Sequence, residues 1–194
     1  LSGLRILVTG DWAQSNAACC AWTVRSAAPG QAFALLNAAA GIKPSDKNLE
    51  MAAGAEFYQN ATAWGFSGQV DYDLGFATVT GISGYRVWQS SDNNDADILP
   101  LNILDVNTGF SKLRQISNEI RLDSAGGDAL EWSVGLFHFD VDNRSSNTQA
   151  GTLGVALPPG TALGSTRDTD THNSSLAAYG QLGYQFTDWL KLSA

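Results

Sequence analysis

The chain has 194 residues, the size of one ordinary domain, and carries 11 lysines and arginines against 19 aspartates and glutamates, a formal net charge of −8. This acidic balance argues against nucleic acid as a partner, because neutralising phosphates requires a basic surface. Charged residues make up only 15 % of the chain, below the quarter that is typical of a soluble domain, yet no apolar run approaches the roughly 20 residues of a membrane helix. Any membrane role would therefore have to use β-strands.

The predicted elements are mainly β-strands, because apolar and polar residues alternate with a period of two along much of the chain. The first strand lies in LSGLRILVTGDWAQ, the second in WGFSGQVDYD and the third in GFATVTGISGYRVWQ. Two more form the hairpin NEIRLDSAGGDALEWSVGLFHFD, a sixth covers SSLAAYGQLGYQF and a seventh begins in WLKLSA. We therefore predict an all-β fold of about seven antiparallel strands. Because the chain starts with Leu1 and stops inside the last strand, we expect a fragment of a longer protein.

The first long connection contains both cysteines of the chain. Cys19 and Cys20 are adjacent, so they cannot join distant segments, and they either form a vicinal disulfide or remain two small side chains. No further cysteine or histidine stands nearby at the spacing that a metal site requires. The stretch PGQAFALLNAAAGI later in this connection predicts a short helix.

The connections between the predicted strands alternate strictly between short and long. Short connections are expected at Asp73 to Gly75, 124–129 and 187–188, and long ones at 15–60, 91–112 and 146–173. In an antiparallel meander successive connections lie at opposite ends of the sheet, so one end would carry only tight turns and the other only long loops. This asymmetry is typical of an outer-membrane β-barrel, which has short periplasmic turns and long external loops. The sequence therefore predicts a segment of an antiparallel transmembrane β-barrel.

The alternation divides the strand residues between a face expected to contact lipid and a face expected to line a watery lumen. Charges cost little in the lumen but about 2–4 kcal/mol each at the lipid midplane. The residues expected to face the lumen are Arg5, Gln69, Glu119, Arg121, Glu131 and Gln181. Those expected to face lipid or form aromatic girdles are Trp64, Tyr72, Ile120, Trp132, Val134, Leu182, Tyr184 and Phe186. The alternative is a soluble sheet whose apolar face is covered by a second layer of protein.

Three hairpins carry a family resemblance. ISNEIRLDSAGGDALEWSVGLFHFD resembles consecutive barrel strands of TonB-dependent outer-membrane receptors, in which a strand of the form S-x-E-x-R-L precedes a glycine-containing turn and a G-L-[FY]-x-[FY] strand. SLAAYGQLGYQFTDWLKLSA is similar to the recurrent A-x-[FY]-G-Q-x-x-Y-x-[FLI]-T-D-x-L-x-L unit of that family. WGFSGQVDYDLGFATVTGISGYR resembles another such hairpin. The resemblance covers residues 63–90 and 114–194, a little over half of the chain.

The resemblance implies a 22-stranded barrel plugged by an N-terminal domain, located in the bacterial cell outer membrane. Such receptors take up scarce nutrients such as ferric siderophores, cobalamin or oligosaccharides, with energy from an inner-membrane complex acting through TonB. The whole chain, 1–194, would then belong to the barrel domain, while the plug, the TonB box and the terminal strands do not occur in it. The implied partners are TonB, membrane lipid and a small nutrient ligand, with no cofactor and no enzymatic activity.

Candidate ligand-binding residues lie in the predicted external loops. They are Trp22, Arg25, Asp95, Asp97, Arg167 and His172. The stretch SSDNNDADI is similar to a calcium loop but lacks its central glycine and closing glutamate, so a solvated loop is expected instead. Three alternatives stay open: a porin-like channel, a soluble β-sandwich binding module such as a lectin, and an outer-membrane hydrolase.

Overall fold

A computed structural model describes residues 3–18, 22–126 and 129–194 of the chain. The described residues form seven strands and one helix, which confirms the predicted all-β fold. In chain order the elements are β1 (Leu4–Ala17), α1 (Ala32–Ala39), β2 (Tyr58–Asp73), β3 (Ala77–Asn93), β4 (Val106–Ser124), β5 (Leu130–Gly151), β6 (Leu163–Thr187) and β7 (Leu190–Ser193). Among these residues no helix is both long enough and apolar enough to cross a membrane.

All seven strands lie in one sheet, in the order in which they occur in the chain. Every strand pairs antiparallel with the next one. The strands lengthen along the chain, from 14 residues in β1 to 25 in β6. Each neighbouring pair is joined by a single local connection, so the whole sheet is a meander.

The predicted alternation of short and long connections is confirmed. The short ones are 74–76, 125–129 and 188–189, and the long ones are 18–57, 94–105 and 152–162. The first short turn shows why so few residues suffice: Gly75 has a positive φ of 87° and its N–H donates to the Asp73 carboxylate at 2.7 Å. Glycine adopts that backbone conformation without a steric penalty from a Cβ atom.

The third long connection is much shorter than predicted. Strand β5 continues to Gly151 and β6 begins at Leu163, whereas the sequence indicated a loop over 146–173. Both faces of this part of the hairpin are polar, so the period-two signal disappears while the backbone pairing continues. Consequently Arg167 and His172 lie inside β6, and their predicted location in a loop is wrong.

The first long connection contains helix α1, which confirms the predicted short helix. Three residues of this connection are buried: Val24 is 5 % exposed, Ile42 is 6 % exposed, and Asn37, within the helix, is fully buried. The helix ends where the N–H of Ile42 donates to the backbone carbonyl of Asn37 at 2.9 Å. Cys19 and Cys20 lie outside the described residues, so the predicted vicinal disulfide stays a prediction.

No second layer covers the sheet within the described part of the chain. The buried apolar residues there are only Val24, Ile42, Ala77, Val87 and Leu99. A soluble domain of this length normally buries a much larger core. The sheet therefore presents both of its faces, and the difference between them is the main structural feature of the protein.

Candidate functional site

The strand pairing assigns the predicted face residues to opposite sides of the sheet. The six residues expected in a lumen share one side, called here the polar face, and the eight expected near lipid share the other, called the apolar face. For example, Gln69 pairs with Ile82, which pairs with Glu119, whereas Val70 pairs with Gly81, which pairs with Ile120. Because the period of a strand is two, one residue of register slip would exchange these two sets completely.

The apolar face is open to its surroundings. Val70 is 44 % exposed, Ile120 55 %, Val134 48 % and Leu182 53 %. Of the large hydrophobic side chains exposed on the described strands, only Leu7, Trp88, Leu163 and Tyr179 lie on the polar face.

The extent of this surface requires a cover. The exposed apolar side chains amount to on the order of 1,000 Å², whereas the largest patch on a typical monomer is about 300–600 Å². Moving that area from water into an apolar medium would be favourable by about 25 kcal/mol, so a cover of hydrocarbon or of protein would stabilise the sheet strongly.

The apolar residues form a band that crosses the sheet obliquely. The row of paired residues that begins at Trp12 in β1 ends at His172 in β6. At the long-connection edge of the band, however, the outermost apolar residue of β6 is Leu176, which lies four residues closer to the short turns than His172. At the short-turn edge, the row of paired residues that begins at Leu4 in β1 reaches β6 six residues before Phe186. Phe186 is the last apolar residue of β6 at this edge, so here too the band has shifted towards the short turns. The band thus shifts by about one residue per strand, which corresponds to a strand tilt of about 35° from the band's normal.

Aromatic side chains are concentrated at the edges of the band. Trp64 and Tyr85 lie near the long connections with their ring centroids 5.5 Å apart. Tyr184 and Phe186 lie near the short turns with centroids 4.7 Å apart in an edge-on arrangement. Tilted and edge-on arrangements are favoured geometries for aromatic pairs.

One row of three paired polar side chains, Ser83, Asn118 and His138, interrupts the band near its centre. Asn118 is exposed on the apolar face, but its carbonyl oxygen accepts a hydrogen bond of 2.8 Å from the Ser83 hydroxyl. Its amide nitrogen lies 3.4 Å from Nδ1 of His138. These contacts satisfy the amide locally and lower the cost of placing it in an apolar environment.

The polar face carries a network of charges and hydrogen bonds across several strands. The Arg121 guanidinium bridges Glu119 at 3.2 Å and Asp123 at 2.8 Å. Asp71 accepts hydrogen bonds from Gln69 and Thr80, both at 2.9 Å. Further pairs join Arg86 to Asp11, Lys191 to Glu131 and Ser133 to Asp123. Most of these side chains are partly open to solvent, so the polar face suits an aqueous space rather than a hydrophobic core.

Tyr179 links three strands on the polar face. Tyr179 lies in β6 and pairs with Gly135 in β5, and its hydroxyl donates a hydrogen bond of 2.6 Å to the carboxylate of Glu119 in β4. A Cβ atom at position 135 would overlap the tyrosine ring, so the ring lies directly over the glycine backbone. This contact could not be predicted from the sequence, because the three residues are far apart along the chain.

The three long connections meet at one end of the sheet. The N–H of Gly54 donates to the Asp95 carboxylate at 2.7 Å, which joins the first long connection to the second. The second is joined to the third because the N–H of Thr152 donates to the carbonyl of Asn102 at 2.9 Å. These contacts fix the loop end of the sheet as one continuous surface.

Asp95 and Asp97 shape the second connection from inside. Asp95 is only 2 % exposed, and its carboxylate also accepts from the N–H groups of Asp97 and Ile98 at 3.1 and 3.0 Å. Both oxygens of Asp97 accept from other backbone N–H groups of the same connection. The two carboxylates therefore hold the loop, and the hypothesis that they contact a ligand stays a prediction.

Asp105 completes an acidic cluster with Asp95 and Asp97. One oxygen from each of the three carboxylates lies within 4.8 Å of the others, and Oδ1 of Asp105 is buried without a hydrogen-bond partner in the described structure. Burial raises the pKa of Asp105 above its ordinary value, and the neighbouring carboxylates of Asp95 and Asp97 raise this pKa further. Three carboxylate oxygens would suit a hard cation such as Ca²⁺.

A second cluster lies on the apolar face beyond the band. Nδ1 of His172 is 2.9 Å from Asp142, and its Nε2 is 3.6 Å from Asp140. The sequence missed this cluster because it placed His172 in a loop. The continued alternation of β5 past His138 was the available signal.

The remaining predicted ligand residues do not converge with these clusters in any described contact. Trp22 and Arg25 are exposed in the first long connection. Arg167 lies in β6 paired with Asn147, on the polar side of the strand. The sequence hypothesis that these residues bind a ligand stays a prediction.

Comparison of the chain with models of known protein families, with curated proteins and with solved structures gave no match in any of the three. The geometry of the two faces and the hairpin sequences are therefore the features from which a function can be inferred.

Proposed function

We propose that the chain is a segment of a transmembrane β-barrel in the outer membrane of a Gram-negative bacterium, and that the barrel belongs to a TonB-dependent receptor. The barrel would take up a scarce nutrient of the ferric siderophore, cobalamin or oligosaccharide class, without chemistry on the ligand. The observation that carries the membrane part is the exposed apolar band. Val70, Ile120, Val134 and Leu182 all belong to it, and hydrocarbon is a cover that leaves the backbone pairing of a sheet undisturbed.

The slope of the band supports a barrel more specifically than its hydrophobicity does. In a flat sheet covered by a helix or a second sheet, nothing requires the apolar region to shift along successive strands. In a barrel the strands tilt by about 35–45° from the membrane normal, so a level hydrocarbon slab meets each strand at a shifted position. The tilt of about 35° that follows from the shift of one residue per strand agrees with this range.

The hairpin sequences support the receptor family. Each of the three family-like stretches coincides with a strand, a short turn and the next strand: β2 with β3, β4 with β5, and β6 with β7. All three turns lie at the end of the sheet opposite the long connections. In the proposed receptor these turns are periplasmic, and the long connections form the external surface that meets the nutrient.

Two rivals predict different observations. A porin-like channel would share the strands and the band, and the three hairpin sequences favour the receptor over it. A soluble binding module would require a protein layer over the apolar face, and none of the described residues supplies one.

Depth-dependent fluorescence quenching tests the membrane part of the proposal. The complete barrel protein that contains this chain is reconstituted into phospholipid vesicles whose acyl chains carry bromine at defined depths, and each tryptophan is assigned by Trp→Phe substitution. Trp64 and Trp132 on the apolar face should be quenched by bromine, and Trp88 on the polar face should not. Equal quenching of Trp64 and Trp88 would remove the basis of the proposal.

The receptor part requires a genetic test. A deletion strain of the source organism is grown with ferric siderophores, cobalamin or oligosaccharides as the limiting nutrient, beside a strain that lacks TonB. Impaired growth of both strains on the same nutrient is the expected result. Impaired growth of the deletion strain alone would favour the porin-like channel.

A further inference from the structure

A groove opens on the apolar face where β2, β3 and β4 approach the long connections. Its volume is about 420 Å³. The side chains that line it come from three adjacent rows of the strand pairing: Thr62, Trp64, Tyr85, Val87, Gln89, Lys112 and Arg114. The groove therefore lies at the edge of the apolar band, where its apolar floor meets a polar rim.

The two sides of the groove differ in chemistry. Trp64 and Tyr85 form an aromatic wall on one side, with Val87 buried at the floor and only 6 % exposed. Lys112 and Arg114 occupy the opposite side, two residues apart on the same face of β4. Strand pairing places Arg114 beside Val87 and Lys112 beside Gln89, so both cations border the floor directly.

Neither cation has an ion pair among the described residues, although carboxylates are close. Asp142 pairs with Arg114 in the strand register, but its carboxylate contacts Nδ1 of His172 at 2.9 Å instead. Arg144 pairs with Lys112 and is itself 3.6 Å from Asp170. In a chain with a formal net charge of −8, two neighbouring cations without an acidic partner leave a local site for an anion.

We propose that this groove binds the phosphate headgroup of an anionic membrane lipid. The phosphate would contact Lys112 and Arg114, and the acyl chains would run along the band below, past Tyr85 and Ile116. Arginine and lysine are the residues that recognise phosphate oxygens, and the planar guanidinium can do so with two hydrogen bonds. A soluble anion would satisfy the cations but would leave the aromatic and aliphatic part of the groove uncovered, so an amphiphile matches both halves of the site.

This inference rests on the proposed membrane function, since the lipid reaches the groove only if the apolar face lies in a bilayer. The experiment uses the complete barrel protein that contains this chain, in vesicles of phosphatidylcholine mixed with phosphatidylglycerol, with bromine on the acyl chains of one lipid or the other. The contribution of Trp64 is isolated by subtracting the signal of the Trp64→Phe variant. We expect phosphatidylglycerol to be enriched beside Trp64 by about five-fold for each cation.

Substitutions then connect the enrichment to the two cations. Lys112→Gln and Arg114→Gln should each lower the enrichment of phosphatidylglycerol beside Trp64 by about five-fold. The double variant should show no preference between the two lipids. The matched control is Lys43→Gln with Lys47→Gln, which changes the net charge equally at exposed positions of the first long connection. This control should keep the enrichment.

The outcomes separate this inference from the proposed function. Strong quenching by both lipids without preference would overturn the lipid site and leave the membrane assignment intact, whereas no quenching by either would overturn both. Loss of the preference in the control variant would show that net charge alone attracts the lipid, which also overturns the site. If inorganic phosphate protected Lys112 and Arg114 from chemical modification equally in vesicles with and without phosphatidylglycerol, the groove would bind the free anion without using the lipid, and the lipid assignment would be wrong.

Discussion

A single arginine on the apolar face provides a quantitative test of the two-faced sheet. Val134 lies near the centre of the band, four residues from Leu130 at its short-turn edge, or about 10 Å along the membrane normal for a strand tilted by about 35–40°. In the Val134→Arg variant, the guanidinium group therefore lies about 10 Å inside the apolar band, too deep for the arginine side chain to extend easily to water at the membrane surface. Arginine near the bilayer midplane of such a barrel costs about 2–4 kcal/mol, a factor of roughly 30 to 1,000 in the folding equilibrium.

The matched control is Gln181→Arg. Gln181 lies in the neighbouring strand on the polar face, paired with Ser133 and lining a pocket with Asp123 and Glu131. An added cation meets carboxylates and water there, so its effect should stay within about 0.5 kcal/mol. Both variants are unfolded with urea from phospholipid vesicles while tryptophan fluorescence is recorded. Equal stabilities of the two variants would refute the assignment of the apolar face to hydrocarbon.

Two further predictions concern individual contacts. Tyr179→Phe removes the 2.6 Å hydrogen bond to Glu119 and should lower the free energy of unfolding by about 1 kcal/mol, measured by the same urea titration; an unchanged midpoint would show that the link across three strands adds no stability. Asp105→Asn tests the acidic cluster. Burial and neighbouring carboxylates raise the pKa of Asp105, so the folded connection holds its proton more tightly than the unfolded one. The cost of the charged form is complete above the folded pKa, decreases as the pH falls below it, and is gone below the unfolded pKa. Hydrogen exchange of the Leu99 and Leu104 amides, corrected for the intrinsic effect of pH, should therefore show that protection of the wild-type protein rises on acidification. The Asp105→Asn variant should be better protected than the wild type near neutral pH, and its protection should not change on acidification. Wild-type protection that rises with pH would contradict the reasoning.

Sequence alone predicted most of the sheet because strand periodicity is a local property. The alternation through Glu119, Ile120, Arg121 and Leu122 already separates the two faces before any partner strand is known. Turn chemistry is equally local, and the glycine at position 75 marks a chain reversal wherever the neighbouring strands lie. The number of strands, their antiparallel order and the alternation of connection lengths followed from these signals.

The sequence was less informative where both faces of a strand are polar. Residues 143–151 and 163–171 pair along their full length. Because nearly all of their side chains are polar, the sequence pattern does not distinguish two paired strands from an irregular loop. Only the backbone hydrogen bonds to the partner strand define such a segment, and these are long-range contacts. This is why His172 was predicted in a loop and its approach to Asp140 and Asp142 was not foreseen.

Sequence by itself determined which side chains share a face of the sheet, since that depends only on whether their positions are an even number of residues apart within a strand. Tertiary structure decided which residues of different strands stand side by side, because that depends on register. The slope of the apolar band, the position of Tyr179 over Gly135 and the groove beside Lys112 and Arg114 all follow from register. Each depends on pairings between residues distant in the chain, which periodicity within one strand cannot specify.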